Sequence, residues 1–527
     1  MKKYGAFLLF AFTVFTQNIL AQTIPIQWQK NYGGSYEDSG NAIDKTPDGG
    51  YILLGTTRSF DRDVTGLHGS LYDVWVIKTN SLGNIEWKKC LGGTGTDVAR
   101  LVRSTSDGGY IIVADTNSNN GDLTGHFGNL NVKDAWIVKL DASGNIQWQH
   151  HFGGTSEDSV SSVVETPQGF LMVGYSYSSN ENIPANKGGT DAFAAFYDKQ
   201  GNLQWVKNYG GARYDYASSV IADDNGFVIA GKSASVDGDL LNANYHPNGS
   251  GVLYSDYWVF KIDFSGNMMW SKCYGGPAED FATSLIKTTD GGFIVAGYVQ
   301  SKGGDITQDN VNPGFWVVKL DINGNIQWQK TYGGSDADVP EEIRQTSDGG
   351  YILTGVTYGN GNDVTGYHNG VPGDMWVLKI NNSGIREWQR ALGGSKIDRG
   401  MGIVEANDGG FVVVGTTASP NGDGDVVGNP HAVNDLWLVK LNSGILNISE
   451  VSSIGKDPIN IYPNPVKMML NISAELTKDN TFAIYSLDGK LVLKGNAQNN
   501  KINVESLLKG TYLIKIGNQK AIKFIKD

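Results

Sequence analysis

A tryptophan–glycine signature returns about every 60 residues along this chain, and a period of that size points to a propeller, a solenoid or an array. Its clearest copy is Phe315 to Gly334, FWVVKLDINGNIQWQKTYGG. Trp316, Val318 and Leu320 alternate with Val317 and Lys319, the period of two that suits a pleated strand. Asn323-Gly324 can take the positive φ that a tight hairpin needs. Residues 326–332 form the return strand, and Gly333-Gly334 breaks it. The return-strand tryptophans are Trp28, Trp87, Trp148, Trp205, Trp270, Trp328 and Trp388. The strand before carries Trp75, Trp136, Phe193, Trp258, Trp316, Trp376 or Trp437, so the pattern uses all 13 tryptophans.

One full repeat, Ser335 to Gly394, reads as four short strands at 338–346, 351–357, 375–380 and 385–392, which matches one propeller blade. Gly-Gly breaks at Gly33, Gly92, Gly153, Gly210, Gly275, Gly333 and Gly393 give seven such units. The chain opens on a lone fourth strand, 26–32, and its last repeat stops after a third strand, 436–441. Pairing the two would leave no open sheet edge. The expected fold is therefore all-β: a seven-bladed β-propeller closed by the N-terminal strand, followed by a small C-terminal β-sandwich. The expected boundaries are a signal peptide at 1–21, the propeller at 22–442, a linker at 443–458 and the tail at 459–527.

The 70 glycines exceed the usual share of about 7 %, but they recur at fixed offsets and mark turns, not disorder. A net charge of −12 argues against a nucleic-acid partner. Lys2-Lys3, the apolar run Ala6 to Phe15 and Ala21-Gln22 read as a secretory signal cleaved near Ala21. No later stretch is long and apolar enough for a transmembrane helix. Cys90 and Cys273 occupy equivalent places in different repeats, too far apart for a disulfide, and read as small buried residues.

Polar residues repeat as well. An aspartate follows each Gly-Gly pair (Asp38, Asp97, Asp158, Asp215, Asp280, Asp338, Asp398), and another precedes most third-strand aromatics (Asp73, Asp134, Asp191, Asp256, Asp374, Asp435). Lys78, Lys139, Lys261, Lys319, Lys379 and Lys440 follow those aromatics. Sevenfold repetition argues for pairing between strands, loops and blades, because a catalytic site needs one constellation.

Tight turns link strands one to two and three to four, so one face of the disc is plain. The loops between strands two and three are long and variable, and function on a rigid scaffold tends to sit in such loops. They share an acid followed by an aliphatic residue, at Asp63, Asp122, Asp239, Asp305, Asp363 and Asp425. A histidine often follows, at His68, His126, His246, His368 and His431. These side chains could form a ligand-binding ring for sugar hydroxyls or a divalent cation such as calcium. Alternatively, the aspartates make Asx-type turns and the histidines pack on a neighbouring blade. No cofactor motif and no catalytic signature is present, and no carboxylate pair stands out from the repeat background.

The tail reads Tyr462-Pro-Asn-Pro465, Leu470-Asn-Ile472, Ile484-Tyr-Ser-Leu-Asp-Gly-Lys490, Leu507 to Ile516 and Lys523-Phe-Ile525. These pieces resemble the type A C-terminal sorting domain of the type IX secretion system. The resemblance implies handling by type IX secretion machinery, passage across the outer membrane of a Gram-negative bacterium, and a cargo that is secreted or held at the cell surface. The repeats resemble uncharacterised exported β-propeller proteins, which adds no activity. The sequence thus leads to a secreted or surface binding or adhesion module with a glycan or protein ligand. A polysaccharide-active hydrolase or lyase, or a structural surface-layer component, are the alternatives.

Overall fold

The computed structural model describes residues 24–123, 125–129, 131–247, 254–307, 313–368, 373–428, 433–443, 461–472, 481–486, 491–516 and 522–527. The expected signal peptide, nearly all of the linker and His431 lie outside these residues. The chain divides into two compact units, Met1–Gly444 and Ile445–Asp527.

The first unit is all-β, with one short 3-10 helix, Gly238–Leu240, among its described residues. Its strands form seven four-stranded antiparallel sheets. In the first sheet they run Asp38–Lys45, Tyr51–Thr57, Asp73–Thr79 and Ile85–Leu91 in simple meander order. The second and third strands read as near-continuous apolar runs, YILLGTT and DVWVIKT, and are buried throughout. This is the pattern of a sheet covered on both faces. The first strands of the other sheets are Asp97–Ser104, Asp158–Thr166, Asp215–Asp223, Asp280–Lys287, Val339–Gln345 and Asp398–Glu405. Each packs beside the first strand of the next sheet, and Asp398–Glu405 packs beside Asp38–Lys45.

The seventh sheet takes its fourth strand from the start of the chain. Ile26–Tyr32 pairs antiparallel with Asp435–Leu441, with Trp28 opposite Lys440 and Asn31 opposite Trp437. The indole N–H of Trp437 donates to Gln29 Oε1 at 3.0 Å. The same bond recurs inside other sheets, from Trp136 to Gln149 at 2.6 Å and from Trp376 to Gln389 at 2.9 Å.

Apolar packing sits between the sheets. One cluster joins Val74 and Val76 to Ala99, Val102 and Trp136 across the first and second sheets. Another joins Val412, Val414 and Leu438 of the last sheet to Ile43, Leu53 and Trp75 of the first. Return-strand tryptophans add a second contact across each gap. A Cβ on Gly83, whose φ is +74°, would lie 2.8 Å from the Trp28 ring. The indole therefore fits only because the hairpin turn of the next sheet has no side chain there.

The repeated charges are used within this frame. Lys78 Nζ lies 2.7 Å from Asp48 and 2.7 Å from Glu86, tying the turn between the first two strands to the start of the fourth. Lys139, Lys319, Lys379 and Lys440 likewise meet Asp107, Asp290, Asp348 and Asp408. Cys90 and Cys273 are free and buried.

The second unit has a three-stranded sheet and a four-stranded sheet, the latter containing Thr481–Ser486, Leu491–Asn496, Gly510–Ile516 and Ile522–Lys526. Val466, Leu470, Ile484, Ile502, Ile514 and Phe524 form its core.

Candidate functional site

The first strand of every sheet carries a bulge. Its pairing with the second strand skips one residue, between Gly40 and Ala42 in the first sheet and between Ala99 and Leu101 in the second. The same skip occurs at the matching place in the other five. A bulge re-aims the extra side chain. The seven extra residues are Asn41, Arg100, Ser161, Ser218, Thr283, Glu341 and Met401, and all seven line one cavity of about 460 Å³. Unlike the aspartate three residues before them, they differ in type from repeat to repeat. Sequence reasoning passed over them because no motif marks them; the signal available was their fixed place three residues after the repeated aspartate.

The walls of this cavity differ chemically. On one side, Arg100 Nε donates to Asp115 Oδ2 at 2.8 Å. Asp115 is buried and also accepts from Ser159 Oγ at 2.8 Å and from the Val160 N–H at 3.0 Å. Glu341 comes from the first strand of the sixth sheet. Burial raises its carboxyl to about 7, with Arg399 pulling the other way. The third to fifth sheets give the cavity an aromatic stretch, which begins beside Arg100. The rings of the lining residues Tyr175 and Tyr216 are 4.7 Å apart, and the lining residue Phe281 stacks at 5.1 Å on Tyr298, which does not itself line the cavity. Lys232 Nζ lies between the two pairs, 5.2 Å from the Tyr216 ring and 5.5 Å from the Phe281 ring. It also pairs with Glu279 at 3.2 Å.

An ionic cluster forms the floor. Glu342 Oε1 lies 3.1 Å from Arg103 and 2.8 Å from Arg344, and its other oxygen accepts the Ile403 N–H at 2.9 Å. Arg344 lies 3.7 Å from Asp44. Arg103 and Glu342 line both this cavity and a second one of about 260 Å³ beyond them.

The loop aspartates and histidines sit elsewhere, and none of those described lines the cavity. The loop carboxylates face the Gly-Gly crossing of their own repeat. Asp122 accepts the Gly92 N–H at 3.1 Å and Asp239 accepts that of Gly210 at 2.9 Å. Asp63, Asp305 and Asp363 accept from Gly33, Gly275 and Gly333 at 3.3–3.4 Å. Asp425 instead holds Arg390 at 2.6 Å. The histidines reach between sheets. His68 Nδ1 is 2.8 Å from Asp73 and its Nε2 is 3.5 Å from Asp122 of the next repeat. His246 bridges Asp256 and Asp305, and His368 bridges Asp374 and Asp425, in the same way. His126 meets Asp134 at 3.1 Å and packs edge-on against His151. Lys187 stands in the histidine's place in the third repeat, with its N–H on Asp191 and its Nζ 2.5 Å from Asp239. That substitution hides the pattern from a search for histidine. Among the described residues, no group of three or more His, Cys, Asp or Glu is arranged to hold a metal ion.

Each junction also buries a carboxylate that satisfies several donors. Asp97 accepts the Gly93 N–H at 2.8 Å, Ser118 Oγ at 2.9 Å and the Thr116 hydroxyl. Asp97→Ala would leave these donors buried and unpaired, which costs about 1–3 kcal/mol per group. We expect Asp97→Ala to lower unfolding stability by roughly 3 kcal/mol, read from the urea midpoint. A midpoint equal to the parent's would contradict this.

The same burial sets a pH dependence. Asp73 and Asp256 are raised to about 6 by burial, against the hydrogen bonds they accept from His68 and His246. Asp338 and Asp398 also sit at about 6, again through burial. Asp435 is pushed to about 8 by burial and then by Asp38. In the unfolded chain an aspartate titrates near about 3.9. Between the unfolded and folded values the native state binds more protons, so stability falls as pH rises through that window. For Asp48, Asp107 and Asp290, burial raises the value but hydrogen bonds from lysine and threonine outweigh it, leaving about 2. Those three act only below about pH 4. The melting temperature should therefore be highest near about pH 4–5 and decline towards pH 8. A steady rise over that range in scanning calorimetry would contradict the assignment.

Comparison with known proteins places the two units differently. Residues 460–527 match the family described as Secretion system C-terminal sorting domain. The tail is thus a type IX sorting domain, and the chain is a cargo for secretion or the cell surface that carries a propeller-like all-β unit. Regulatory protein FlaEY of Caulobacter vibrioides is 22% identical over 409 residues, 65% of this chain and 41% of that protein. The chain therefore spans less than half the length of that relative. Among solved structures, the Pan2 WD40 domain of Neurospora crassa aligns over 76% of this chain and 88% of its own, at 10% identity and a TM-score of 0.41. A protein of unknown function from Dyadobacter fermentans aligns over 79% of this chain and 98% of its own, at 10% identity and a TM-score of 0.40. No helix among the described residues is long and apolar enough to cross a membrane.

Proposed function

We propose that residues 22–442 form a closed seven-bladed β-propeller, sealed by Ile26–Tyr32, and that it is an exported binding module with its ligand site at the mouth of the central channel. In this reading residues 1–21 are the cleaved signal, 443–458 the linker and 459–527 the sorting domain. The circle of first strands and the apolar cluster shared by the last and first sheets support the closure.

One observation carries the site: every first strand aims its bulged residue into the same cavity, and these seven residues are Asn, Arg, Ser, Ser, Thr, Glu and Met. A scaffold that repeats for stability departs from the repeat where one surface must be asymmetric. The cavity's size falls within the range of about 300–1,000 Å³ usual for small-molecule sites. The loop aspartates and histidines, by contrast, are taken up in holding crossings and neighbouring sheets together.

Binding is favoured over hydrolysis by the carboxylates. Only Glu341 and Glu342 line the cavity among the described residues, and Glu342 is tied to two arginines and a backbone N–H. Glycoside hydrolysis by the usual route needs two carboxyl groups free to flank the scissile bond. The test is a screen of the mature protein against arrayed ligands and intact cells, repeated with Arg100→Ala and Glu341→Gln. Binding that both changes weaken at least about tenfold is expected, in line with the loss of a central contact. Binding that neither change affects places the site elsewhere.

A further inference from the structure

The uneven lining of the channel mouth narrows the ligand class. We infer that the ligand is a carbohydrate, bound by its chain end, with a sugar ring against the aromatic stretch and its hydroxyls towards the polar lining residues. The inference rests on the channel-mouth site proposed above and names what fills it.

Three features combine. First, three aromatic side chains line one stretch of the cavity. Tyr175, Tyr216 and Phe281 come from three consecutive sheets, with the Lys232 ammonium between Tyr216 and Phe281. A pyranose ring offers C–H groups on its faces and hydroxyls around its edge, so it needs an apolar flat surface beside polar partners. Second, the other sheets supply those partners in uncharged and charged form, the amide of Asn41, the Arg100 guanidinium and Glu341, while the hydroxyls of Ser161 and Ser218 stand on the same sheets as the Tyr175 and Tyr216 rings. The charges are balanced in part, since Arg100 is held by Asp115 and Lys232 by Glu279, which disfavours a strongly anionic ligand. Third, the cavity has a floor and an aromatic exit. The Glu342 cluster with Arg103 and Arg344 lies across its inner end. On the outer side, the Tyr177 hydroxyl is 3.3 Å from that of Tyr216, and Tyr177 is 41% exposed. A chain can therefore enter by one end and continue outward past Tyr177, but it cannot thread the channel.

The experiment is calorimetric titration of the mature protein with neutral oligosaccharides of two to six residues, drawn from β-glucan, xylan, mannan, α-glucan and chitin series. A linear polymer of each series is titrated alongside. At least one series should bind, with affinity rising over the first residues and with one protein per polymer chain. Tyr216→Ala and Phe281→Ala should each weaken that binding at least about tenfold, and Tyr216→Phe, which keeps the ring, should retain most of it. Melting curves for each variant separate lost binding from lost folding. Binding of several proteins along one polymer chain overturns the chain-end assignment. Failure of every saccharide to bind overturns the carbohydrate assignment. If arrayed peptides or other ligands then bind and Phe281→Ala abolishes that binding, the channel-mouth site stands while the ligand class falls. Sugar binding unchanged in both alanine variants overturns the site and the ligand class together.

Discussion

A chain that begins at Gly33, without the strand Ile26–Tyr32, should fail to fold as a stable monomer. That strand supplies the whole outer edge of the last sheet. Its loss would strip the backbone partners from Asp435–Leu441, together with the Gln29 acceptor of the Trp437 indole and the bond from the Tyr32 hydroxyl to the Gly83 carbonyl. Half a dozen hydrogen bonds at about 1 kcal/mol each, plus the burial of Ile24, Trp28 and Tyr32, amount to a loss on the order of 10 kcal/mol. That is comparable with the total stability of a typical domain, about 5–15 kcal/mol. The exposed edge would also invite pairing with other chains. Size-exclusion chromatography and thermal melting would read the result, and a synthetic peptide covering residues 22–32, added in trans, should restore the monomer. A truncated protein that stays monomeric with the parent's melting temperature would refute the closure. The seam has a kinetic side as well. Gln29 and Trp437 are 408 residues apart, so this contact forms only when the last repeat is available, and contacts of long sequence separation slow folding.

The frame of this protein was legible because the physics that builds it repeats. A tryptophan on the fourth strand needs a bare turn in the next sheet, so Trp28 implies Gly83 and Trp87 implies Gly144. Such pairs recur and stand out from one sequence. The cavity was illegible for the opposite reason. Asn41, Arg100, Ser161, Ser218, Thr283, Glu341 and Met401 share a position but no single chemistry, and without the bulge nothing in the letters says that they line one cavity. The aromatic wall was hidden too, since Tyr216 and Phe281 sit beside the repeated aspartate where other copies have Ser39, Val98 or Arg399. The recurring loop histidines drew notice through their repetition, and repetition is what junctions between sheets require. Lys187 shows how loosely that role binds to residue type: an ammonium on a long stem reaches Asp239 where an imidazole elsewhere reaches the equivalent carboxylate.

Removing residues 445–527 should stop extracellular delivery without unfolding the rest. The sorting tail owns its core: Val466, Leu470, Ile472, Ile484, Ile514 and Phe524 pack with one another. The apolar clusters of the first unit draw on residues no later than Leu441, so truncation opens none of them. The truncated protein, purified, should show a transition within about 2 °C of the one the first unit gives in the full chain, since each unit has an apolar core of its own. In the producing cell it should accumulate inside the envelope, because the segment matched to the sorting family is what the secretion machinery recognises. Immunoblots of culture supernatant, outer membrane and periplasm give the distribution. Transferring 445–527 to an unrelated exported protein should redirect that protein outward, which separates a sorting signal from a mere stabilising appendage. Normal surface or culture levels of the truncated chain would remove the tail's assigned role, and a large fall in melting temperature would instead make it part of the first unit's fold. The two outcomes are independent, so delivery and stability are each judged on their own evidence.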